Sequence, residues 1–206
     1  MEMRQVRATT TTFETRKEGE DLHITGYFSV FDSPYEIAQG MTESVAPGAF
    51  SNTLSGDVRA LNNHDATLVL GRTTAHTLEL KEDSRGLWGD ITVNPKDGDA
   101  LNLYNRVERG DVNQCSFGFE IVKQDTEVRD DGSVHWTIRE VKLYEVSVCT
   151  FPAYQETNVT ARSAERADIL EKKQEAWRER MMSRLKGGKS NGTESTDAPE
   201  EDRRED

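Results

Sequence analysis

The chain has 206 residues and a formal net charge of −12, long enough for one domain with a sizeable core and an appendage, and too short for a second enzymatic domain. So acidic a chain is poorly suited to nonspecific nucleic-acid or anionic-membrane binding, which reward basic surfaces; protein partners are expected instead, with no nucleic acid and no membrane. No apolar run approaches the roughly 18 residues of a membrane span, and Met1–Val6 lacks an apolar signal core, so a soluble, cytosolic protein is expected. Cys115 and Cys149 are too few for a disulfide framework and lack the paired spacing of a zinc site. No metal or cofactor is expected.

In chain order, the threonine-rich stretch from Val6 to about Phe13 predicts a strand that pairs, across the charged turn Arg16–Asp21, with an alternating strand Leu22–Phe31. Residues 33–46 lack periodicity and read as a long loop. Ala46-Pro47-Gly48-Ala49-Phe50 then opens a short helix to Leu54, since proline is tolerated in a first helical turn. Val58–Asn62 is a short strand that delivers Asn62-Asn63-His64-Asp65 to its end, where function tends to sit. Leu68–Arg72 follows as a strand, then Ala75–Leu80 and Gly86–Val93 as a hairpin. Many short strands at close spacing suggest a sandwich or barrel.

Between Asp97 and Gly110 the period becomes helical, with Ala100, Leu101, Tyr104 and Val107 on one face, Asp97 or Asp99 as N-cap and Gly110 as stop. This helix runs into Gln114–Ile121, a strand whose Cys115, Phe117, Phe119 and Ile121 share one face while Ser116 and Gly118 share the other. The second face is nearly bare and leaves room for a substrate backbone beside Gly118. Strands at about 115–124 and 134–151 flank the turn Asp130–Ser133. From about Ala164 to Leu185 a charged helix carries an apolar stripe of Leu170, Trp177, Met181 and Leu185. The polar tail beyond it is expected to be disordered.

Three residues suggest chemistry. A serine hydroxyl needs an imidazole to take its proton and a third group to hold that imidazole's tautomer. Ser116 and His64 fit the first two roles. Glu145 lies amid Leu143, Val146, Val148 and Cys149, where a carboxylate requires a partner, and an imidazolium would supply one. Each also has an ordinary structural reading. His76 competes for the base or third place, and Asp65 for the orienting carboxylate. His23 and His135 read as structural. The cysteines read as small buried residues, with a cysteine hydrolase as the alternative. Arg72, or backbone amides near it, is a candidate oxyanion donor that could equally be a plain ion pair.

These residues fall in five blocks: Gly26–Phe31; Glu43 with Ala46–Phe50; Asn63-His64-Asp65 with Leu70-Gly71-Arg72; Ser116–Phe119; and Glu145–Val148 with Phe151-Pro152-Ala153. In this order and spacing, over residues 4 to 162, the chain resembles the prohead (head maturation) serine protease family of tailed bacteriophages, distantly similar to the herpesvirus capsid assembly protease. The resemblance implies Ser116 as nucleophile and His64 as general base. The herpesvirus relatives use a second histidine as third member, whereas the phage pattern points to an acidic residue, which Glu145 matches; His76 stays open. The implied fold is α+β, a mainly antiparallel β-barrel or curled sheet flanked by a few helices. The chain would comprise a protease domain at 1–162, a helical extension at 163–186 and an acidic tail at 187–206. The implied role is cleavage of scaffold and major capsid protein, and of itself, in the immature head within the host cytoplasm, with room for homo-oligomerisation. A non-catalytic capsid-assembly scaffold or adaptor is the rival account.

Overall fold

The computed structural model describes residues 5–151 and 156–187; Pro152-Ala153 of the last block and the tail at 188–206 lie outside the described residues. The chain divides into two units, Met1–Ser163 and Ala164–Asp206. The first is an α+β fold of two curled sheets that do not close into a barrel. The larger sheet holds β1 (Gln5–Thr10), β10 (Gln114–Val128), β11 (Val134–Cys149), β5 (Met41–Val45) and β4 (Tyr35–Ala38) in that order, with β6 (Arg59–Asn62) also on β11 and β7 (Asp65–Arg72) on β6. The smaller sheet runs β2 (Glu14–Glu18), β3 (Asp21–Val30), β9 (Gly86–Val93) and β8 (Leu78–Glu82).

Pairing is mostly antiparallel, except that β11 pairs in parallel with β5 along its first half and with β6 along its second. A 16-residue strand thus serves as the spine of the larger sheet. One core cluster joins the sheets: Ile24, Phe28, Leu87 and Ile91 from the smaller meet Cys115, Phe117, Phe119, Ile138, Val146 and Val148 from the larger. Phe117 stacks on Phe119 at 4.8 Å and meets Phe50 edge-on at 5.4 Å. Burial of each such ring contributes about 1.5–3 kcal/mol.

Helix α1 (Gly98–Glu108) starts as its sequence dictates, with Asp97 accepting from the backbone N–H of Asp99 and Ala100. It ends at Gly110, whose φ of +84° suits glycine. It buries Ala100, Leu103, Tyr104 and Val107; Leu103, rather than the expected Leu101, completes the stripe.

Three expectations are corrected. The first hairpin is formed by β2 and β3, while β1 crosses to the larger sheet and pairs with β10. Residues 33–46 are not a loop but carry β4 and β5; β5 is buried on both faces, so its sequence shows no alternation of polarity. No helix runs from Ala46 to Leu54. Gly48 at φ +86° leaves helical space, and the segment winds through successive turns, such as Ser51 N–H to Gly48 O and Thr53 N–H to Phe50 O.

Glu43 of β5 is buried with Arg7 of β1 and Arg162. Its carboxylate takes both guanidinium groups, and Arg162 also lies over the Trp136 ring, 4.7 Å from its centre. Arg162 belongs to helix α2 (Glu156–Gly187), which starts eight residues before the expected Ala164. In the second unit α2 exposes Trp177, Met182 and Leu185. No helix among the described residues is long and apolar enough to cross a membrane.

Candidate active site

His64 sits in a two-residue turn. Asn62 of β6 pairs with Asp65 of β7, leaving Asn63 and His64 at the corners with φ of +50° and +63°. A tight hairpin turn of this hand requires positive φ at both positions, which asparagine accepts readily and histidine adopts at a cost. Contacts to β11 and the residue after it hold the strained turn. Asn63 N–H donates to Val148 O at 3.0 Å, Thr150 N–H to Asn63 Oδ1 at 2.9 Å, and His64 N–H to Ser147 Oγ at 3.3 Å. The turn lies there because β6 runs parallel to β11, with Leu61 beside Ser147 and Asn62 beside Val148.

The ring meets a carboxylate. His64 Nδ1 lies 2.7 Å from Glu145 Oε1, the histidine side chain 21% exposed and the glutamate 2%. A carboxylate can only accept, so this contact assigns the proton to Nδ1 and leaves the Nε2 lone pair available. The second carboxylate oxygen, Oε2, accepts from Ser147 Oγ at 2.7 Å.

Ser116 of β10 stands directly opposite Ser147 of β11, and Gly118 opposite Glu145. Directly opposed residues of an antiparallel pair point to one face, roughly 5 Å apart. The structure therefore brings His64, Ser116 and Glu145 to one face of the β10–β11 ladder. Of the expected contacts, that between His64 and Glu145 is made. The hydroxyl of Ser116 instead donates to the carbonyl of Arg7 at 2.8 Å. The expected open face is a correction: Ser116 has no exposed surface, and Gly118 is buried too. Strand β10 is covered on one edge by β1, where Ala8 pairs with Ser116.

The competitors lie elsewhere. His76 is exposed in the cap of a short 3-10 turn. Asp65 turns away to accept from Thr67 N–H and Oγ1. Arg72 is bound to Asp57 on the surface at 2.6 and 2.7 Å, an ordinary ion pair. His23 pairs with Asp90 at 2.8 Å, and His135 with Thr42 and Ser44. Cys115 is on the opposite, core face of β10 and contacts the Tyr27 carbonyl. Cys149 shares the face of Glu145 and Ser147, with Sγ 3.8 Å from His64 Nε2. Burial, reinforced by the negative charge of Glu145, pushes its thiol up to about 12, so it is held as the un-ionised thiol, a poor nucleophile. Among the described residues no group of three or more His, Cys, Asp and Glu could hold a metal.

Sequence reasoning missed Ser147 and the Arg7 carbonyl. Ser147 carried a signal, because two positions after Glu145 on a strand is the same face. The Arg7 contact spans 109 positions and had none.

An imidazole oriented by a buried carboxylate, on the face that bears a strand serine, is the equipment of nucleophilic acyl transfer. The chain belongs to the caudovirus prohead serine protease family, whose model matches residues 11–172. It is similar to the prohead protease of Enterobacteria phage HK97, 28% identical over 148 residues that make up 70% of this chain and 61% of that relative. The chain thus spans somewhat under two thirds of that relative's length. Its fold also aligns with the capsid assembly protease gp21 of bacteriophage T4, with a TM-score of 0.48 and 12% identity, over 72% of this chain and 98% of that one.

Proposed function

We propose that this chain is a serine endopeptidase that cleaves scaffold and major capsid protein segments, and itself, inside the immature phage head in the host cytoplasm. Ser116 is the nucleophile, His64 the general base and Glu145 the group that holds the base. The observation that carries this reading is the 2.7 Å contact of His64 Nδ1 with Glu145 on the face that bears Ser116. Family membership supports the reaction class and the setting.

In this reading Ser116 Oγ leaves the Arg7 carbonyl and swings toward His64 Nε2, which takes its proton as Oγ attacks a peptide carbonyl. The protonated imidazole, steadied by Glu145, gives that proton to the departing amine. A water then enters and attacks the acyl carbon as it loses a proton to Nε2, and Nε2 passes that proton to Ser116 Oγ as the acyl group leaves as the acid, restoring the hydroxyl and the neutral imidazole. The buried, Arg7-bound hydroxyl is a resting arrangement, because substrate reaches it only when the face is uncovered. The exposed Trp177, Met182 and Leu185 of α2 offer scaffold or capsid protein a surface to grip.

The test is intact-mass spectrometry over time on the purified chain incubated with capsid protein, beside the Ser116→Ala variant. The parent should shorten itself and the capsid protein, and Ser116→Ala should fold and do neither. Identical truncation in both would remove Ser116 from the nucleophile's place, and none in either would favour an assembly adaptor. A chain ending at Ser163 should keep cleavage and lose packaging into heads; undiminished packaging would exclude α2 as the grip.

A further inference from the structure

Two serines face each other across β10 and β11, and only one of them can serve as the nucleophile of a single imidazole. We infer that Ser147 is a positioning residue, the hydroxyl that fastens His64 and Glu145 to each other and fixes which oxygen of the carboxylate meets the ring. The inference rests on the reading of His64 as base and Ser116 as nucleophile.

A hydroxyl has one proton to give and two lone pairs to offer. Three groups crowd Ser147 Oγ: Glu145 Oε2 at 2.7 Å, the His64 backbone N–H at 3.3 Å and His64 Nδ1 at 3.3 Å. Only the carboxylate can accept, and 2.7 Å is the length of a charge-assisted O–H···O⁻ bond. The proton therefore goes to Oε2, and the lone pairs are left for the His64 backbone N–H and, as a longer second acceptor beside Glu145 Oε1, for Nδ1–H. Oε2 of a carboxylate with almost no exposed surface gains a donor, so Oε1 is left to the ring. The backbone of a histidine held at φ +63° gains an acceptor that pins the turn.

The same assignment removes Ser147 as a nucleophile. Its proton is committed to Glu145, and its oxygen lies against Nδ1, the nitrogen that already carries a proton, so the base cannot deprotonate it. Ser116, one cross-strand step away, has its proton on a neutral carbonyl, which it can leave. Strand alternation makes the arrangement economical, since Glu145 and Ser147 reach one face from a single strand with Val146 between them in the core.

Two measurements on the full-length chain test this. The first is the rate of phosphonylation by diisopropyl fluorophosphate, with the label located by peptide mapping. The second is the low-field proton resonance of His64 Nδ1–H in histidine-labelled protein. The parent should label on Ser116. Ser147→Ala should label there roughly tenfold to a hundredfold more slowly, as expected for a misplaced base, and its Nδ1–H resonance should move or broaden. Ser147→Thr, which keeps the hydroxyl, should restore both. Should Ser147→Ala fail to fold, Ser147→Cys keeps the size with a far weaker donor and should behave as the alanine variant is expected to. Parental labelling together with an unmoved resonance in Ser147→Ala would overturn the inference while leaving Ser116 as nucleophile. A label on Ser147 in the parent would overturn both readings. A parent that does not label at all would count against Ser116 alone, and the resonance would then decide for Ser147.

Discussion

Glu43 and Glu145 are both about 1% exposed, and both belong to the larger sheet at β11, Glu145 within that strand and Glu43 beside Trp136 on β5. Their partners differ. Glu43 is held by two guanidinium groups, Arg7 and Arg162, neither of which can give up a proton. Burial pushes its carboxyl upward, but the charges and hydrogen bonds of Arg7, with those of Arg162, outweigh it and hold the group below the ordinary carboxylate range. Glu145 is held by an imidazole and a hydroxyl. An imidazole can carry a proton reversibly where a guanidinium cannot, so in the proposed reading the same buried carboxylate that is a fixed clamp at Glu43 serves, at Glu145, to hold the base. In that reading, what the partner can do with a proton separates structure from chemistry, and burial alone does not.

Substituting each glutamate in turn should separate the two roles. Glu145→Gln keeps the volume but can present an amide N–H to Nδ1, favouring the wrong tautomer. Turnover should fall by about 10³- to 10⁴-fold, with the melting temperature within a few degrees of the parent. Glu43→Gln should do the reverse. It strands two buried guanidinium groups and should cost about 3–5 kcal/mol of stability, read by urea unfolding, while the folded fraction cleaves at the parental rate. If Glu43→Gln stopped cleavage without unfolding the chain, the comparison would collapse.

The pH dependence of stability sharpens the same contrast. Because the folded carboxyl of Glu43 is lowered from its ordinary 4.5, its contribution is fully present above that value and is lost as pH falls through the lowered one. The urea midpoint of the parent should drop as pH falls below the ordinary carboxylate value of 4.5, and the part of that drop due to Glu43 should vanish in Glu43→Gln. An unchanged slope in the variant would mean that the two arginines do not bind an ionised Glu43.

Local pattern made some of this legible. The alternation 115, 117, 119 named the core face of β10, and Ser116 with Gly118 followed as the other face. The Asp97 cap and Gly110 stop bounded α1. Glu145 stood out because its neighbours are apolar. What failed depended on contacts between distant segments. The hydroxyl of Ser116 is bound by the Arg7 carbonyl of β1, 109 positions earlier in the chain, and a serine beside a glycine reads the same whether or not its face is buried. β5 escaped notice because its polar residues, Glu43 and Ser44, are buried: their partners come from β1, α2 and β11, and five residues cannot announce them. The assembly of His64 with Glu145, 81 positions apart, rested on the order of the family's blocks more than on any local feature.

The smallest effect concerns Cys149, two strand positions beyond Ser147 on the face that bears Glu145. It lies 3.8 Å from His64 Nε2, close enough on distance alone to rival Ser116. Burial, reinforced by the charge of Glu145, opposes a thiolate and keeps the thiol up at about 12. Iodoacetamide at about pH 8 should therefore leave Cys149 unmodified and cleavage undiminished, because only the thiolate reacts. Cys149→Ala should cut turnover by no more than a few-fold and cost about 1 kcal/mol, the ordinary toll of trimming a buried side chain. Loss of cleavage in step with alkylation of Cys149, followed by mass spectrometry, would make the thiol the nucleophile and turn Ser116 into a buried serine bound to a carbonyl. Inhibition without modification of Cys149 would point to Cys115, which is held on the core face against Tyr27 and reaches reagent only if the sheets part.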